Sequence, residues 1–219
     1  MARDKKYIIY FWTTLIIVAV TVIFFYVKKN YTELQSNNNN INITFFSSSK
    51  DNINKKYFQT VRELMNSLNE YKNKINVVYG GGTDGLMGEV AKYKGNLISS
   101  NLSKFSESQI ADEYVYKTIQ DRQQKLTDLG DMYITLPGGY GTIYELMEVI
   151  TLNDIGQSHK PIIIYNVYNF FDRFIQYIET LYSMGFTTKT LTELSVHVFD
   201  DKEQVIAFIK KMKKWKSNQ

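Results

Sequence analysis

Two glycine-rich stretches of the sequence contain the residue types that bind phosphate groups. GGGTDG at residues 80–85 and PGGYGT at residues 137–142 each follow a short apolar run and precede a segment with helical periodicity. Glycines leave backbone N–H groups accessible, and the start of a helix favours a bound anion. One such loop is weak support for function because tight turns also need glycine. Two in one sheet predict a phosphate-bearing ligand, although neither has the lysine of a P-loop.

Arg122 is a conspicuous charge in a segment predicted to be helical. Ile119, Arg122 and Leu126 recur at the spacing of one helix face, which places the guanidinium on the face turned toward the sheet. A charge in that position needs a partner. Two interpretations are open: a buried ion pair with an acidic residue on a helix face, or a contact with the ligand's phosphate or ribose, which suits the planar guanidinium.

Glu145 is the second charged candidate, and it also has two interpretations. Thr142 is the predicted N-cap of the helix that follows the second glycine loop, and its hydroxyl is a predicted phosphate donor. With Glu145 three residues later, the pair has the spacing of a capping box, in which the glutamate bonds back to the N-cap N–H. Alternatively, a carboxylate in the first turn after a phosphate loop faces a ribose hydroxyl or the attacking water.

The segments that must position these residues alternate between strand and helix. Apolar runs predict strands at residues 41–46, 75–79, 96–99, 132–136 and 161–165, and helical periodicity predicts helices at about 53–72, 85–94, 109–128, 142–155, 168–184 and 201–214. This order predicts an α/β domain with a parallel sheet covered by helices on both faces. Ligands of such sheets bind outside the carboxyl ends of the strands, where both glycine loops fall.

Composition excludes several classes of function. The net charge is +4, but the basic residues concentrate in residues 1–29 and 210–216, so the central region is net negative and no nucleic-acid partner is predicted. The chain has no cysteine, which excludes thiolate metal sites and a cysteine nucleophile. Its two histidines are too few for a histidine-based zinc site, so no metal is predicted.

The N-terminal segment is predicted to anchor the protein in a membrane. Residues 7–27 carry no charge, are bracketed by lysines, and as a helix would reach about 30 Å, the thickness of a bilayer core. A cleaved signal peptide or a buried globular helix are the alternatives. The predicted organisation is therefore an anchor at residues 1–29, an asparagine-rich linker at 30–40 and a folded domain at 41–219.

Two sequence segments resemble the Lonely Guy family of cytokinin riboside 5′-monophosphate phosphoribohydrolases, whose members are often labelled lysine decarboxylases. They are GGGTDGLMGEV at residues 80–90 and LPGGYGTIYELMEVIT at residues 136–151, and the second contains the complete family pattern PGGxGTxxE. The likeness covers roughly residues 41–187. Two departures concern the site: the family's MxxRK ends here in Arg122-Gln123, and the region after Gly85 is several residues shorter, which leaves the preferred base open.

The resemblance implies a Rossmann-like, three-layer fold and hydrolysis of the N-glycosidic bond of a purine riboside 5′-monophosphate, with a cytokinin-type N6-substituted adenine or adenine itself as the base. It implies Arg122 and Glu145 as catalytic residues, no cofactor and a homodimer. The implied substrate-binding residues lie in the two loops: Gly81, Gly82, Thr83, Gly138, Gly139, Gly141 and Thr142. A nucleotide substrate favours a cytosolic catalytic domain behind a single-pass anchor. The alternatives are a nucleotide sensor that has lost the chemistry, and a membrane scaffold.

Overall fold

The computed structural model describes residues 40–104 and 112–216. Ile41–Gln219 form one compact unit. The predicted anchor at residues 7–27 and most of the linker lie outside the described residues, so the anchor stays a prediction. Within the described ranges, no helix is long and apolar enough to cross a bilayer.

The centre of the domain is a seven-stranded sheet in the order β4-β3-β2-β1-β5-β6-β7, and every neighbouring pair is parallel. The strands are β1 Ile41–Phe46, β2 Ile75–Tyr79, β3 Asn96–Leu102, β4 Asp112–Tyr116, β5 Met132–Thr135, β6 Ile162–Tyr165 and β7 Val196–Phe199. The inner strands are buried on both faces, which explains their mostly apolar sequences.

In the described part of the chain, six helices cover the two faces of the sheet: α1 Lys55–Asn69, α2 Gly85–Val90, α3 Ile119–Leu129, α4 Tyr140–Asp154, α5 Asp172–Ser183 and α6 Lys202–Lys216. One apolar core joins the sheet to α1, α2 and α6, and a second joins it to α3, α4 and α5. The predicted α/β architecture with helices on both faces is therefore confirmed.

The predicted helix at 109–128 is wrong over its first part. Asp112–Tyr116 form the edge strand β4, and α3 begins only at Ile119, where Thr118 Oγ1 accepts the Asp121 N–H at 3.1 Å. Tyrosine and valine favour the extended conformation of an edge strand. Pairing with β3 also gives hydrogen-bond partners to backbone groups that one short helical turn would leave unpaired. The short strand β7 was not predicted either.

The predicted helix at 168–184 is interrupted near its start. Val167–Asn169 form a 3₁₀ turn, and α5 begins at Asp172. Tyr168 and Asn169 have positive φ angles of 56° and 59°, which a continuous right-handed helix excludes. The turn follows β6 at the carboxyl edge of the sheet.

The sheet order places a topological switch point beside β1. The chain leaves β1 toward β2, β3 and β4, then returns to pair β5 with the other side of β1. The loops after β1 and β5 therefore lead in opposite directions and leave a crevice at the carboxyl ends of these strands. Both glycine loops end at this crevice.

Candidate active site

The loops after β1, β2 and β5 contact one another at the switch point. The Ser48 N–H donates to the Pro137 carbonyl at 3.3 Å, and the Ser48 carbonyl accepts the Met87 N–H at 3.0 Å. Gly85 has a φ of 61°, and a Cβ there would lie 2.6 Å from the Ser48 carbonyl oxygen. Only glycine fits this left-handed, crowded position, so the loop after β1 joins the two glycine loops into one surface.

The first glycine loop, at residues 80–85, is held from several sides. Gly81 has a φ of 83° and packs against Asn101, while the Gly82 N–H donates to the thioether sulfur of Met87 at 3.1 Å. The Gly85 N–H donates to Asp51 Oδ1 at 2.8 Å. Thioether sulfur is a weak acceptor, so a phosphate oxygen can replace it at Gly82, whereas the Gly85 N–H already has a carboxylate partner.

The second glycine loop opens toward solvent. Gly139 and Gly141 have no atom within 4 Å of the position that a Cβ would occupy, and Tyr140 between them is 98% exposed. The helix α4 begins at Tyr140 with Gly139 as its N-cap and without a side-chain cap. Its first N–H groups are therefore available to an anion.

The prediction that Thr142 caps this helix is wrong. Thr142 lies inside the first turn of α4, is buried, and packs its hydroxyl against Gly138, where a Cβ would lie only 2.1 Å from Thr142 Oγ1. The capping-box interpretation of Glu145 fails with it, because the N-cap is Gly139. The second interpretation of Glu145, as a residue facing the ligand, remains.

Arg122 and Glu145 form an ion pair between α3 and α4. Arg122 Nη1 donates to Glu145 Oε1 at 2.5 Å, and Arg122 Nε donates to the Ser100 carbonyl at 3.0 Å. The side chains are only 13% and 8% exposed. The ion-pair interpretation of Arg122 is therefore confirmed, and its partner is the other predicted catalytic residue.

The same guanidinium also touches the first glycine loop. A Cβ at Gly80 would lie 2.3 Å from Arg122 Nη2, so the Nη2 side of the guanidinium rests on the Gly80 backbone. Nη2 has no hydrogen bond to any residue in the described ranges, where the side chain of Arg122 donates through Nε and Nη1. The unused donors thus lie beside the predicted phosphate loop.

The environment of Glu145 favours the neutral form of its carboxyl group more than a surface environment would. Burial raises the pKa of Glu145, while the charge and hydrogen bond of Arg122 oppose that shift, and the charge of Glu148 adds to it. Raised pKa values at a carboxyl group beside a loop cluster are typical of functional sites. In residues 40–104 and 112–216, no group of three or more acidic or histidine side chains could hold a metal ion.

Three residues of this site were not among the predicted site residues: Gly80, Glu148, and Gln123, which the sequence marked only as a departure from the family's MxxRK. Gly80 is the first glycine of a loop from which only Gly81, Gly82 and Thr83 were selected, and its contact with Arg122 depends on the packing of α3. Gln123 is fully buried beside Arg122, and Glu148 lies one turn after Glu145. The i to i+3 spacing of the two glutamates was a signal that could have indicated Glu148.

Comparisons with known proteins identify the family of this chain. A family model described as "Possible lysine decarboxylase" matches residues 81–209. The chain is 31% identical over 149 residues to cytokinin riboside 5′-monophosphate phosphoribohydrolase LOG2 of Arabidopsis thaliana, covering 64% of this chain and 69% of that protein. It is also 31% identical over 172 residues to LOG7 of the same plant, covering 74% and 78%.

Among solved structures, the molybdenum cofactor carrier protein of Chlamydomonas reinhardtii aligns with a TM-score of 0.57 over 78% of this chain and 96% of that chain. At 17% sequence identity, this likeness shows the fold alone. The family model and the two plant relatives show more, and the chain belongs to the Lonely Guy family, whose model has the description of a possible lysine decarboxylase.

Proposed function

We propose that this protein hydrolyses the N-glycosidic bond of a purine nucleoside 5′-monophosphate and releases the free base and ribose 5-phosphate. One observation carries the proposal: the Arg122 guanidinium joins Glu145 to the first glycine loop and keeps its Nη2 donors unused. A guanidinium with unused donors, beside a loop in which the Gly82 N–H has only a weak thioether acceptor, is suited to a phosphate. The relatives LOG2 and LOG7 are named for this reaction.

The proposed chemistry needs a carboxylate close to the anomeric carbon. The bond between C1′ of the ribose and the ring nitrogen of the purine breaks, and its electron pair leaves with the base, which takes up a proton. A positive charge develops on the ribosyl ring, and a water oxygen then bonds to C1′ and releases its proton. Glu145 stabilises the positive charge or orients this water, by analogy with other glycosyl hydrolyses.

Arg122 has two tasks in this proposal. Its Nη2 side holds the 5′-phosphate at the loop of residues 80–85, while its Nη1 side keeps the Glu145 carboxylate in place. Both groups are fixed before the substrate arrives, since Arg122 Nε is also bonded to the Ser100 carbonyl. Such preorganisation reduces the rearrangement that would otherwise add to the barrier.

The identity of the base is the finer part of the proposal. The relatives are named for cytokinin ribosides, whose base is an N6-substituted adenine. We propose that this chain accepts that class or AMP, and that a comparison of AMP with N6-isopentenyl-AMP distinguishes them. The substrate with the higher kcat/KM identifies the preferred base.

The decisive experiment uses the purified protein and the variant Glu145→Gln. We expect turnover to fall about 10²–10³-fold, because one preorganised electrostatic group is lost while the shape is kept. Free base and ribose 5-phosphate are measured by chromatography, and the variant Glu179→Gln, which changes an exposed glutamate of α5, is the control. If the folded Glu145→Gln variant kept most of its turnover, Glu145 would have no catalytic role.

The alternative is a nucleotide sensor of the same fold. Wild-type protein that binds the nucleotide but releases no base would support the sensor and reject the hydrolase. A calorimetric titration with AMP in parallel with the activity assay separates these two results.

A further inference from the structure

Gln123 lies directly beneath the ion pair, at the contact between α3 and α4. Its side chain is fully buried, and its Oε1 accepts a hydrogen bond from Arg122 Nη1 at 3.3 Å. Nη1 also donates to Glu145, so the amide oxygen of Gln123 and the carboxylate of Glu145 both accept hydrogen bonds from the same nitrogen. Because Oε1 must face the guanidinium, the orientation of the amide is fixed, and Nε2 points away from Arg122.

Glu148 is the acidic residue on the other side of this amide. It follows Glu145 by three positions on α4, so both carboxyl groups lie on the same side of the helix. Glu148 Oε2 and Gln123 Nε2 are both buried without a hydrogen-bond partner among the described residues. Burial raises the pKa of Glu148, and the Gln123 amide and the charge of Arg122 oppose that shift. Buried polar atoms without partners are costly, so the presence of both atoms near the ion pair calls for an explanation.

The cluster contains one positive charge and two carboxyl groups. Arg122 of α3, Glu145 of α4 itself and Tyr133 of β5 are the charged or titratable groups that interact with Glu148. Burial raises the pKa of both carboxyl groups, and the negative charge of Glu148 raises that of Glu145 further. Removing the negative charge of Glu148 would therefore lower the pKa of Glu145.

We propose that Gln123 and Glu148 are positioning residues of the site: Gln123 holds the Arg122 guanidinium against Glu145, and Glu148 keeps a second carboxyl group beside this pair. This inference rests on the proposed function and adds two residues to it. Neither residue needs to touch the substrate. Glu148 acts through Glu145, and Gln123 acts through Arg122.

The role of Glu148 is tested by the pH dependence of kcat/KM in Glu148→Gln. The amide has the shape of the acid but no negative charge, so Glu145 ionises more easily. We expect the acidic limb of the profile to move to lower pH by on the order of one pH unit. The control Glu179→Gln should leave the limb in place. A residue with only a structural role would lower activity at all pH values equally, and an unmoved limb in Glu148→Gln overturns the proposal for Glu148.

The role of Gln123 is tested with a matched pair of variants on α3. Gln123→Met keeps the length and burial of the side chain but removes the acceptor for Arg122, whereas Gln124→Met changes the exposed neighbour, which bonds to Asp128. We expect kcat/KM to fall about tenfold in Gln123→Met, the lower range for a hydrogen bond to a charged group. Gln124→Met should stay within about twofold of the wild type under the same conditions. Equal losses in the two variants, with both folded, would contradict the role of Gln123.

A measurement without substrate separates this inference from the proposed function. The carboxyl carbon of Glu145 is titrated by NMR in protein with ¹³C-labelled glutamate, and the spectrum of Glu145→Gln assigns its signal. The inference requires a lower midpoint for Glu145 in Glu148→Gln than in the wild type, whether or not the protein releases a base. An unchanged midpoint overturns it, while wild-type protein without turnover overturns only the hydrolase.

Discussion

Gly80 offers the sharpest test of the site, because its missing side chain makes room for the guanidinium of Arg122. A Cβ at Gly80 would lie 2.3 Å from Arg122 Nη2, whereas an ordinary contact needs at least 3.4 Å, so Gly80→Ala must move one of the two by about 1.1 Å. The backbone of Gly80 does not have a positive φ, so alanine itself is not strained there.

Arg122 cannot move that far without losing a hydrogen bond. Its Nε and Nη1 are bonded to the Ser100 carbonyl at 3.0 Å and to Glu145 at 2.5 Å, and a shift of about 1 Å breaks at least one of these. Loss of one hydrogen bond to a charged group costs about 1.5–3 kcal/mol of stability. A misplacement of this size in an active site lowers kcat/KM by about 10².

The assay combines the kinetics of Gly80→Ala with a double-mutant cycle in urea denaturation. In the background of Arg122→Ala the guanidinium is absent, so the added methyl group should cost less than about 0.5 kcal/mol. The coupling between the two positions is therefore expected to be about 1–2.5 kcal/mol. Turnover within about threefold of the wild type, or an equal loss of stability in both backgrounds, would refute the contact between Gly80 and Arg122.

Two further predictions concern the helices that support the site. Glu89 of α2 is 5% exposed and accepts from Lys92 and from Arg62 of α1, and the Arg62 bond joins the two helices. Glu89→Gln should therefore cost about 1.5–3 kcal/mol in urea denaturation at pH 7. The hydrogen bond from Arg62 lowers the pKa of Glu89 below 4.5. The stabilisation by Glu89 is therefore present above pH 4.5 and is lost as the pH falls through the lowered pKa. A difference in unfolding free energy between Glu89→Gln and the wild type that stays constant down to acidic pH would contradict this. Lys160 Nζ donates to the Thr127 carbonyl at 2.7 Å at the end of α3. Lys160→Met should therefore lower the free energy of unfolding by about 1–2 kcal/mol. Urea denaturation curves with the same midpoint and slope for the variant and the wild type would exclude that capping role.

The strand-helix alternation of this fold follows from local patterns in the sequence. The runs at Ile41–Phe46 and Ile75–Tyr79 predict their strands to the residue, because each strand is buried on both faces and is therefore mostly apolar. The edge strand Asp112–Tyr116 has no such requirement, since most of its residues are partly or fully exposed. This segment is a strand because it pairs with β3, and no local sequence pattern indicates that pairing.

The start of α4 shows the same limit at the level of single residues. Thr142 and Glu145 have the spacing of a capping box, yet the helix begins two residues earlier, at Tyr140, with Gly139 as its N-cap. The hydroxyl of Thr142 then packs on Gly138 instead of capping. Sequence spacing allows both arrangements, and the packing of the loop decides between them.

The two glycine loops are therefore the part of the site that the sequence determines by itself, because glycine content and the strand-helix order are local properties. The pairing of Arg122 with Glu145 is a property of the tertiary structure: the residues are far apart in the chain and meet only because α3 and α4 pack side by side on one face of the sheet. The same packing places the guanidinium against Gly80 and buries the Gln123 side chain and the Oε2 atom of Glu148. Contacts between distant segments are decided by how whole faces of helices fit together, which the sequence around each residue does not specify.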